Sequence, residues 1–577
     1  THGYDHKREG ITARGAWESV ARHFRELGVD VHTDPITVAG MGDMSGDVFG
    51  NGLLYSRSLR LVAAFNHMHV FLDPNPEPEA AYRERERLFR LPRSTWRDYD
   101  PTLISTGGGV FDRHAKRIDL TPEIRALLDL DGEVVSGLDL VRAVLRMRVD
   151  LLWNGGVGTY VKASSERHAD VGDAANDPVR IDASELRARV VGEGGNLGFT
   201  QRARVEYAQG GGRIDTDAIH NVGGVDMSDR EVNLKILLAP VVATGDLTPE
   251  ARNDLLASMT DSVSRRVLED AARQSLALSL AERRAKEDPT LFVSLHEYLE
   301  ERGGLDSAVE FLPNARERAA RLAAGATYTR PELAILLAYA KMGTYRRLLE
   351  TDFPSDPALL PLLLEEMPEP LPERYPEAIA AHPLRREIVA TVATNLVVDL
   401  LGPTFVHRTL RESGGSPATI LRAGLMALDL LDARPTFAAL EAHEAIDADA
   451  RYRAMRELVD AAEGIVAWLV QKGHAERGMQ DVMDRYRAPL RALRDALPDL
   501  LVGADKRATT ARRKAFTKLG FEEELATHIA ALDMLPAAAF TIDVAEGTQR
   551  PLLEVAERFF TLGDRLSLTW LRDHLAG

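Results

Sequence analysis

One segment carries residues spaced for phosphate chemistry. Ile36-Thr-Val-Ala-Gly40-Met-Gly42-Asp-Met-Ser45-Gly46-Asp-Val-Phe-Gly50 passes from a short apolar run into a Gly-x-Gly-x-x-Ser turn and then a helical pattern. Gly40 suits a tight turn, Gly42 leaves the backbone open to a pyrophosphate, and Ser45 is small enough for a helix to pack on the strand. The free amides at that helix's start would meet the anion. Asp43 and Asp47 stand close to the same place and oppose it. A second β-like run, Leu59–Phe65, ends at Asn66, about twenty residues after Ser45, where a dinucleotide fold meets the adenosine ribose. An amide hydrogen-bonds a 2′-hydroxyl, and no arginine follows at once to receive a 2′-phosphate. The expected cofactor is therefore NAD rather than NADP.

Further glycine clusters occur at Asn154-Gly-Gly-Val-Gly158, Gly192-Glu-Gly-Gly-Asn196-Leu-Gly198 and Asn221-Val-Gly-Gly-Val-Asp-Met-Ser228. The first two follow strand-like stretches, so their turns are expected at the carboxyl edge of a parallel sheet, where ligands bind. Asparagine suits such turns because its amide both donates and accepts. Other candidates have plainer readings. His67 and His69 lack a third ligand, and no metal site is expected. His2 and His6, spaced for a helix face, read as polar or interface residues. Neither a His-Glu-x-x-His helix nor a Gly-x-x-x-x-Gly-Lys-Ser/Thr loop occurs. Thr106–Gly109 reads as a mobile connecting loop. Glu193 and Asp217 read as structural hydrogen-bonding groups rather than bases, and Ser228, taken alone, as a helix cap. Arg507–Lys514 reads as a solvated basic helix face.

These residues need a frame. Before about residue 245, glycine turns separate β-branched runs at Pro35–Ala39, Leu59–Phe65, Val149–Trp153 and Ala188–Val191, with helical stretches at Ala13–Leu27 and Ser136–Arg148. Alternating strands and helices imply βαβ units and a mainly parallel sheet. Afterwards the periodicity is helical: Thr248-Pro249 and Thr329-Arg-Pro331 open helices, and apolar residues recur through Arg386–Leu401, Tyr452–Val470, Ala488–Leu500 and Leu552–Leu562. The expected architecture is an α/β Rossmann-like dinucleotide-binding domain over 1–244, then a mostly α-helical region over 245–577. Proline-rich punctuation near 353–372 splits that region into two groups.

The chain has 577 residues, 45% of them hydrophobic, which is ample for cores of this size. No cysteine is present, which removes disulfides, thiolate metal sites and a cysteine nucleophile. The net charge of −17 argues against a broad nucleic-acid surface. No uncharged apolar run reaches the roughly 18 residues of a membrane helix. The expected setting is cytoplasmic, with neither nucleic acid nor membrane as partner. The opening Thr1-His-Gly-Tyr-Asp resembles neither a signal segment nor a start, and a beginning inside a larger protein is expected.

In this order, the motifs resemble the large bacterial NAD-specific glutamate dehydrogenases. The carriers are Gly3–Ser19, the Gly40–Gly52 loop, Leu151–Tyr160, Val191–Gly198 and, most specific, Ile214–Lys235. His382–Ala390 resembles the family's C-terminal region, with less specific motifs. The resemblance implies NAD-dependent oxidative deamination of L-glutamate to 2-oxoglutarate and ammonia by a cytoplasmic homo-oligomer. It places Gly40, Gly42 and Ser45 at the pyrophosphate and Asn66 at the ribose. Thr12 would lie near the nicotinamide amide. Asn154, Asn196 and Asn221 would sit in turns bordering the cofactor, and Ser228 at the substrate's side-chain carboxylate. Two positions depart from the family pattern: Asn66 and His220 stand where aspartates are expected. The family's catalytic lysines and aspartate lie in a substrate domain upstream, and Lys7 belongs to a different motif. The chain is therefore expected to hold the cofactor half of an active site, to stop within the helical region after Leu566, and to be inactive alone. Two alternatives are a non-catalytic nucleotide-binding or assembly module and a dehydrogenase for another amino acid.

Overall fold

The computed structural model describes residues 3–568. Thr1, His2 and the residues after 568, with the expectations attached to them, lie outside. The described chain forms two compact units. The first comprises Thr1–Val293, Leu305–Ala338 and Met367–Pro383; the second comprises Ser294–Gly304, Tyr339–Glu366 and Leu384–Gly577.

The first unit is built on a six-stranded sheet: β1 (Ile36–Met41), β2 (Leu59–Phe65), β3 (His69–Leu72), β4 (Gly109–Asp112), β5 (Leu151–Asn154) and β6 (Val190–Glu193). Its order is β6-β5-β1-β2-β3-β4. The first four strands in that order run parallel, whereas β3 and β4 add antiparallel at one edge. The sheet is thus mixed, with the parallel part where the periodicity placed it. Its helices are α1 (Ile11–Glu26), α2 (Asp47–Leu53), α3 (Gly137–Leu145), α4 (Gln201–Gln209), α5 (Val222–Ala243) and α6 (Thr260–Glu287). Arg330 begins a further helix, α7 (Arg330–Leu349).

Alternation along the strands makes two cores, because successive side chains point to opposite faces. Ile36, Val38, Leu151, Trp153 and Val190 join Trp17, Val20 and Phe24 of α1 on one face. Ala39, Met41, Leu152 and Val191 join Leu140, Val144 and Leu145 of α3 on the other. Burying α1's Trp17, Val20 and Phe24 contributes roughly 2–3 kcal/mol per side chain. The Trp17 indole also donates to the Gly52 carbonyl at 2.9 Å, so its one polar atom is satisfied.

The boundary expected at residue 244 falls inside this unit. Thr248 does cap a helix, accepting from the Ala251 amide at 3.2 Å, with Pro249 in its first turn. The long helix α6 packs back on α1: Arg22 of α1 reaches the Ala272 carbonyl of α6 at 3.2 Å. Amphipathic periodicity reveals that a helix has a buried face but not what that face meets. The Thr106–Gly109 segment runs into β4 and packs closely; a Cβ on Gly108 would lie 2.6 Å from the Leu72 carbonyl.

The second unit is all helical. Its long helix Ala448–Gln471 is buried along Leu458, Ile465 and Trp468. The helical stretch Glu523–Thr548 is long and apolar enough to cross a membrane, yet 61% of its apolar window is buried within the protein, as a core helix would be. Arg507–Lys514 lies on the helix Gly503–Lys518, where Arg513 pairs with Glu523 at 2.8 Å.

Candidate functional site

The strand order locates the site. From β1 the chain moves to β2 on one side and later to β5 and β6 on the other, so the order reverses between β1 and β5. At their carboxyl ends Met41 pairs with Asn154, and the Gly155 amide donates to the Met41 carbonyl at 3.0 Å. The glycine loop and the Asn154 turn therefore open side by side. Such a reversal leaves a crevice because the loops following the two strands diverge to opposite faces.

Gly40 lies within β1, not in the turn, which begins at Gly42 with a φ of 139°. A Cβ on Gly40 would sit 2.5 Å from the Phe49 ring, and one on Gly42 would sit 2.6 Å from it. The two glycines therefore let α2 settle on the strand through Phe49, the task expected of Ser45. Ser45 instead closes the loop: its hydroxyl and amide both donate to Asp43 Oδ1, at 2.6 and 3.1 Å. Gly46 caps α2 without a side chain, so the first-turn amides stay open to an anion. The opposing acids are engaged, since Asp47 accepts from Asn51 at 2.8 Å and Asp43 from Asn66 at 2.8 Å. A cation also stands there. Lys7 Nζ donates to the Ser45 carbonyl at 2.8 Å, from a position 38 residues earlier that no motif spacing connects to the loop.

Asn66 is bound into the loops around it. It is 6% exposed, and its amide is used internally. Nδ2 donates to Asp43, while Oδ1 accepts from the Met68 and His69 amides at 2.8 and 2.7 Å. Asn66 shapes the tight β2–β3 turn and holds Asp43, through bonds that use one of its two Nδ2 N–H groups. The antiparallel entry of β3, absent from the expected βαβ pattern, is the physical reason for that turn.

The remaining asparagines interlock. Asn154 is fully buried and holds the next glycine turn, Nδ2 donating to the Gly195 carbonyl at 3.1 Å. Gly198 is obligatory beside it, because a Cβ there would lie 2.1 Å from Asn154 Nδ2. Asn196 is exposed at the tip of that turn and accepts from Asn221 Nδ2. Asn221 leads from the helical turn Asp217–His220 into α5. At the start of α5 the α1 and α5 backbones meet through glycine: a Cβ on Gly223 would lie 2.8 Å from the Ile11 carbonyl, and one on Gly224 would lie 2.6 Å from Thr12 Oγ1. Thr12 is thus brought to the start of the helix that carries Ser228. Ser228 is exposed one turn on, bonding back to the Gly224 carbonyl at 3.2 Å.

Beneath these turns lies a buried ionic cluster. Arg204 grips Glu193 at 2.6 and 3.0 Å and reaches Asp217 at 3.1 Å, while Asp217 accepts from the Leu197 amide at 2.9 Å. Both acids therefore have the structural roles expected of them. Burial raises the Glu193 carboxyl against the opposing pull of Arg204. His220 replaces the expected aspartate, its ring fully buried between the Glu193 amide and Asp215. Burial alone would raise Asp215, but Arg330 first, and then His23, hold it well below the usual carboxylate range. Burial pushes His23 down, outweighing the attraction of Asp215.

Residues 1–281 match the family described as bacterial NAD-glutamate dehydrogenase, catalytic domain, and residues 325–577 match glutamate dehydrogenase, C-terminal. NAD-specific glutamate dehydrogenases of Pseudomonas aeruginosa, Halomonas elongata and Mycobacterium tuberculosis are 46%, 44% and 42% identical to it, over 98%, 99% and 98% of this chain. The chain spans 35% of the length of each of these relatives. Among solved structures, a hetero-hexameric glutamate dehydrogenase from Thermus thermophilus aligns over 55% of this chain and 53% of its own. That alignment has 16% identity and a TM-score of 0.26, too low to bear on the fold. The two family matches and the near-complete coverage of this chain by these relatives agree: the chain belongs to the bacterial NAD-glutamate dehydrogenase family.

Proposed function

We propose that this chain supplies the NAD-binding half of an enzyme that oxidatively deaminates L-glutamate to 2-oxoglutarate and ammonia. The observation that carries this is the meeting of two glycine turns at the β1/β5 reversal, with Lys7 beside the start of α2, which no side chain caps. In this reading the sheet is Rossmann-like. The loop Gly40–Gly46 and the first amides of α2 hold the pyrophosphate, and Lys7 adds a positive charge. Asn154, Asn196 and Asn221 fix the turns that border the nicotinamide side, and Thr12 stands near its amide. Ser228 receives the substrate's distal carboxylate, a charge-assisted bond that favours an acidic side chain over an apolar one. Bound NAD supplies the hydride acceptor. This chain's residues hold and orient the two reactants.

We take the working form to be a soluble cytoplasmic homo-oligomer with neither nucleic acid nor membrane as partner. Leu553, Phe559, Leu562 and Leu566, exposed along one helical stretch, support self-association. Light scattering tests it, and a monomer at micromolar concentration would refute it.

NADH titration followed by fluorescence tests the cofactor reading. The chain should bind at sub-millimolar concentration, and Gly42→Val should abolish binding, with circular dichroism confirming a folded protein. No saturation at millimolar NADH in the unaltered chain would overturn the reading.

A further inference from the structure

Three buried side chains converge on one oxygen. His23 Nε2 lies 3.5 Å from Asp215 Oδ2, and His220 Nε2 lies 3.3 Å from the same atom. All three side chains are fully buried, and these three atoms are among the buried groups left without a hydrogen-bond partner of good geometry. Two imidazoles and a carboxylate within 4.8 Å of one another have the composition of a divalent-metal site.

The proton on His220 decides otherwise. Its Nδ1 accepts the backbone N–H of Glu193 at 2.9 Å. A neutral imidazole that accepts at one nitrogen carries its proton on the other, so Nε2, 3.3 Å from Asp215 Oδ2, bears the hydrogen. That is the atom a metal would need as a lone pair. Asp215 is also already compensated, because Arg330 donates to its other oxygen. Arg330 is anchored in turn on Ser279 Oγ at 2.9 Å and the Ser275 carbonyl at 3.1 Å. The cluster is a buried polar chain: hydrogen bonds join α6 and Asp215 through Arg330 and join the His220 ring to the end of β6, and between them His220 Nε2 stands 3.3 Å from Asp215 Oδ2.

The two ends of that chain matter to the site. Glu193 is the last residue of β6, immediately before the turn Gly194–Gly198 that carries Asn196. His220 immediately precedes Asn221, which bonds Asn196 and opens α5, the helix of Ser228. We propose that His220 is a positioning residue. Its ring sets the spacing between the cofactor-bordering turn and the start of the substrate helix, and Asp215 and Arg330 fix the ring's orientation. The proposal rests on the NAD-binding reading above.

Two variants separate the ring's two contacts. His220→Asn keeps an acceptor near the position of Nδ1 for the Glu193 amide and loses the close approach to Asp215. His220→Gln keeps a donor near the position of Nε2 and leaves the Glu193 amide unpaired. Both lose packing, so both should lower the unfolding temperature. The expected result is an NADH Kd within about twofold of the unaltered chain for His220→Asn and about tenfold weaker for His220→Gln, the scale of one buried unpaired amide. Equal Kd values in the two variants would overturn the positioning role while leaving the cofactor reading intact. Failure of the unaltered chain to bind NADH would overturn both. Zinc chloride that raises the unfolding temperature of the unaltered chain but not of His220→Asn would also overturn the proposal, by placing a metal where the proton is assigned.

Discussion

The Asn66 amide donates to the Asp43 carboxylate at 2.8 Å, tying the β2–β3 turn to the glycine loop after β1. A carboxylate at position 66, expected in the family, would place two negative charges at that separation. Asn66→Asp should therefore destabilise the protein by about 1–2 kcal/mol and weaken NADH binding, since the loop loses its anchor. Thermal unfolding and fluorescence titration check both. Tighter binding by the aspartate variant would favour the ribose role at this position.

Gly40 and Phe49 form a matched pair, with no room for a methyl group between them. Gly40→Ala should cost about 1–3 kcal/mol through overpacking. Adding Phe49→Leu should recover part of the loss, because the leucine withdraws the ring edge. Additive losses in the double-mutant cycle would show that the contact is not the cause.

Lys7 is exposed, and among the described residues its ammonium meets the Ser45 carbonyl and the face of Phe89, 5.3 Å from the ring centroid. Lys7→Met should leave the unfolding temperature within about a degree and raise the NADH Kd roughly threefold at low salt. The difference should shrink as ionic strength rises. A salt-independent effect would point to packing rather than charge.

In the helical unit, burial first, and then Arg411 and Arg347, push His407 down to about 4. A histidine whose folded pKa lies below its unfolded value of 6.5 takes up its proton more readily when unfolded. Its contribution to stability is therefore full above pH 6.5 and declines as pH falls towards about 4. His407→Gln should flatten the urea midpoint across that window, read from the fluorescence of buried Trp468. Glu26 acts lower on the scale. Burial would raise it, but Arg330 and His23 bring it down to about 2, so its contribution holds above 4.5 and is lost as pH falls through about 2.

What could be read from the residues follows from the range of the forces involved. The four parallel strands and the glycine loop are local patterns, and they stand where the runs Pro35–Ala39, Leu59–Phe65, Val149–Trp153 and Ala188–Val191 put them, within two residues. The edge strand β3 escapes the pattern because the tight turn at His67–Met68 carries neither glycine nor proline, the usual markers of a hairpin, and β4 because it begins within the glycine run Thr106–Gly109, which reads as a loop. The roles of Gly40 and Ser45 exchanged because what requires glycine is the approach of Phe49, a contact between neighbouring elements. Lys7 and Arg330 were invisible for the same reason: one reaches its target across 38 residues and the other across 115. The family resemblance supplied Thr12 and Ser228, and the glycine contact between α1 and α5 explains how two such distant residues come to one place.

The separation of 115 residues between Asp215 and Arg330 also bears on synthesis. As the chain emerges from the ribosome, the strands are all present by residue 193, yet the carboxylate beneath them has no cation until Arg330 arrives. Until then the nascent domain would carry a buried, uncompensated charge, a liability of about 3–5 kcal/mol. The sheet should therefore stay loose, and open to protease, through the making of α6. A truncation at residue 244 should remain in that state, whereas one extended to residue 383 should lock.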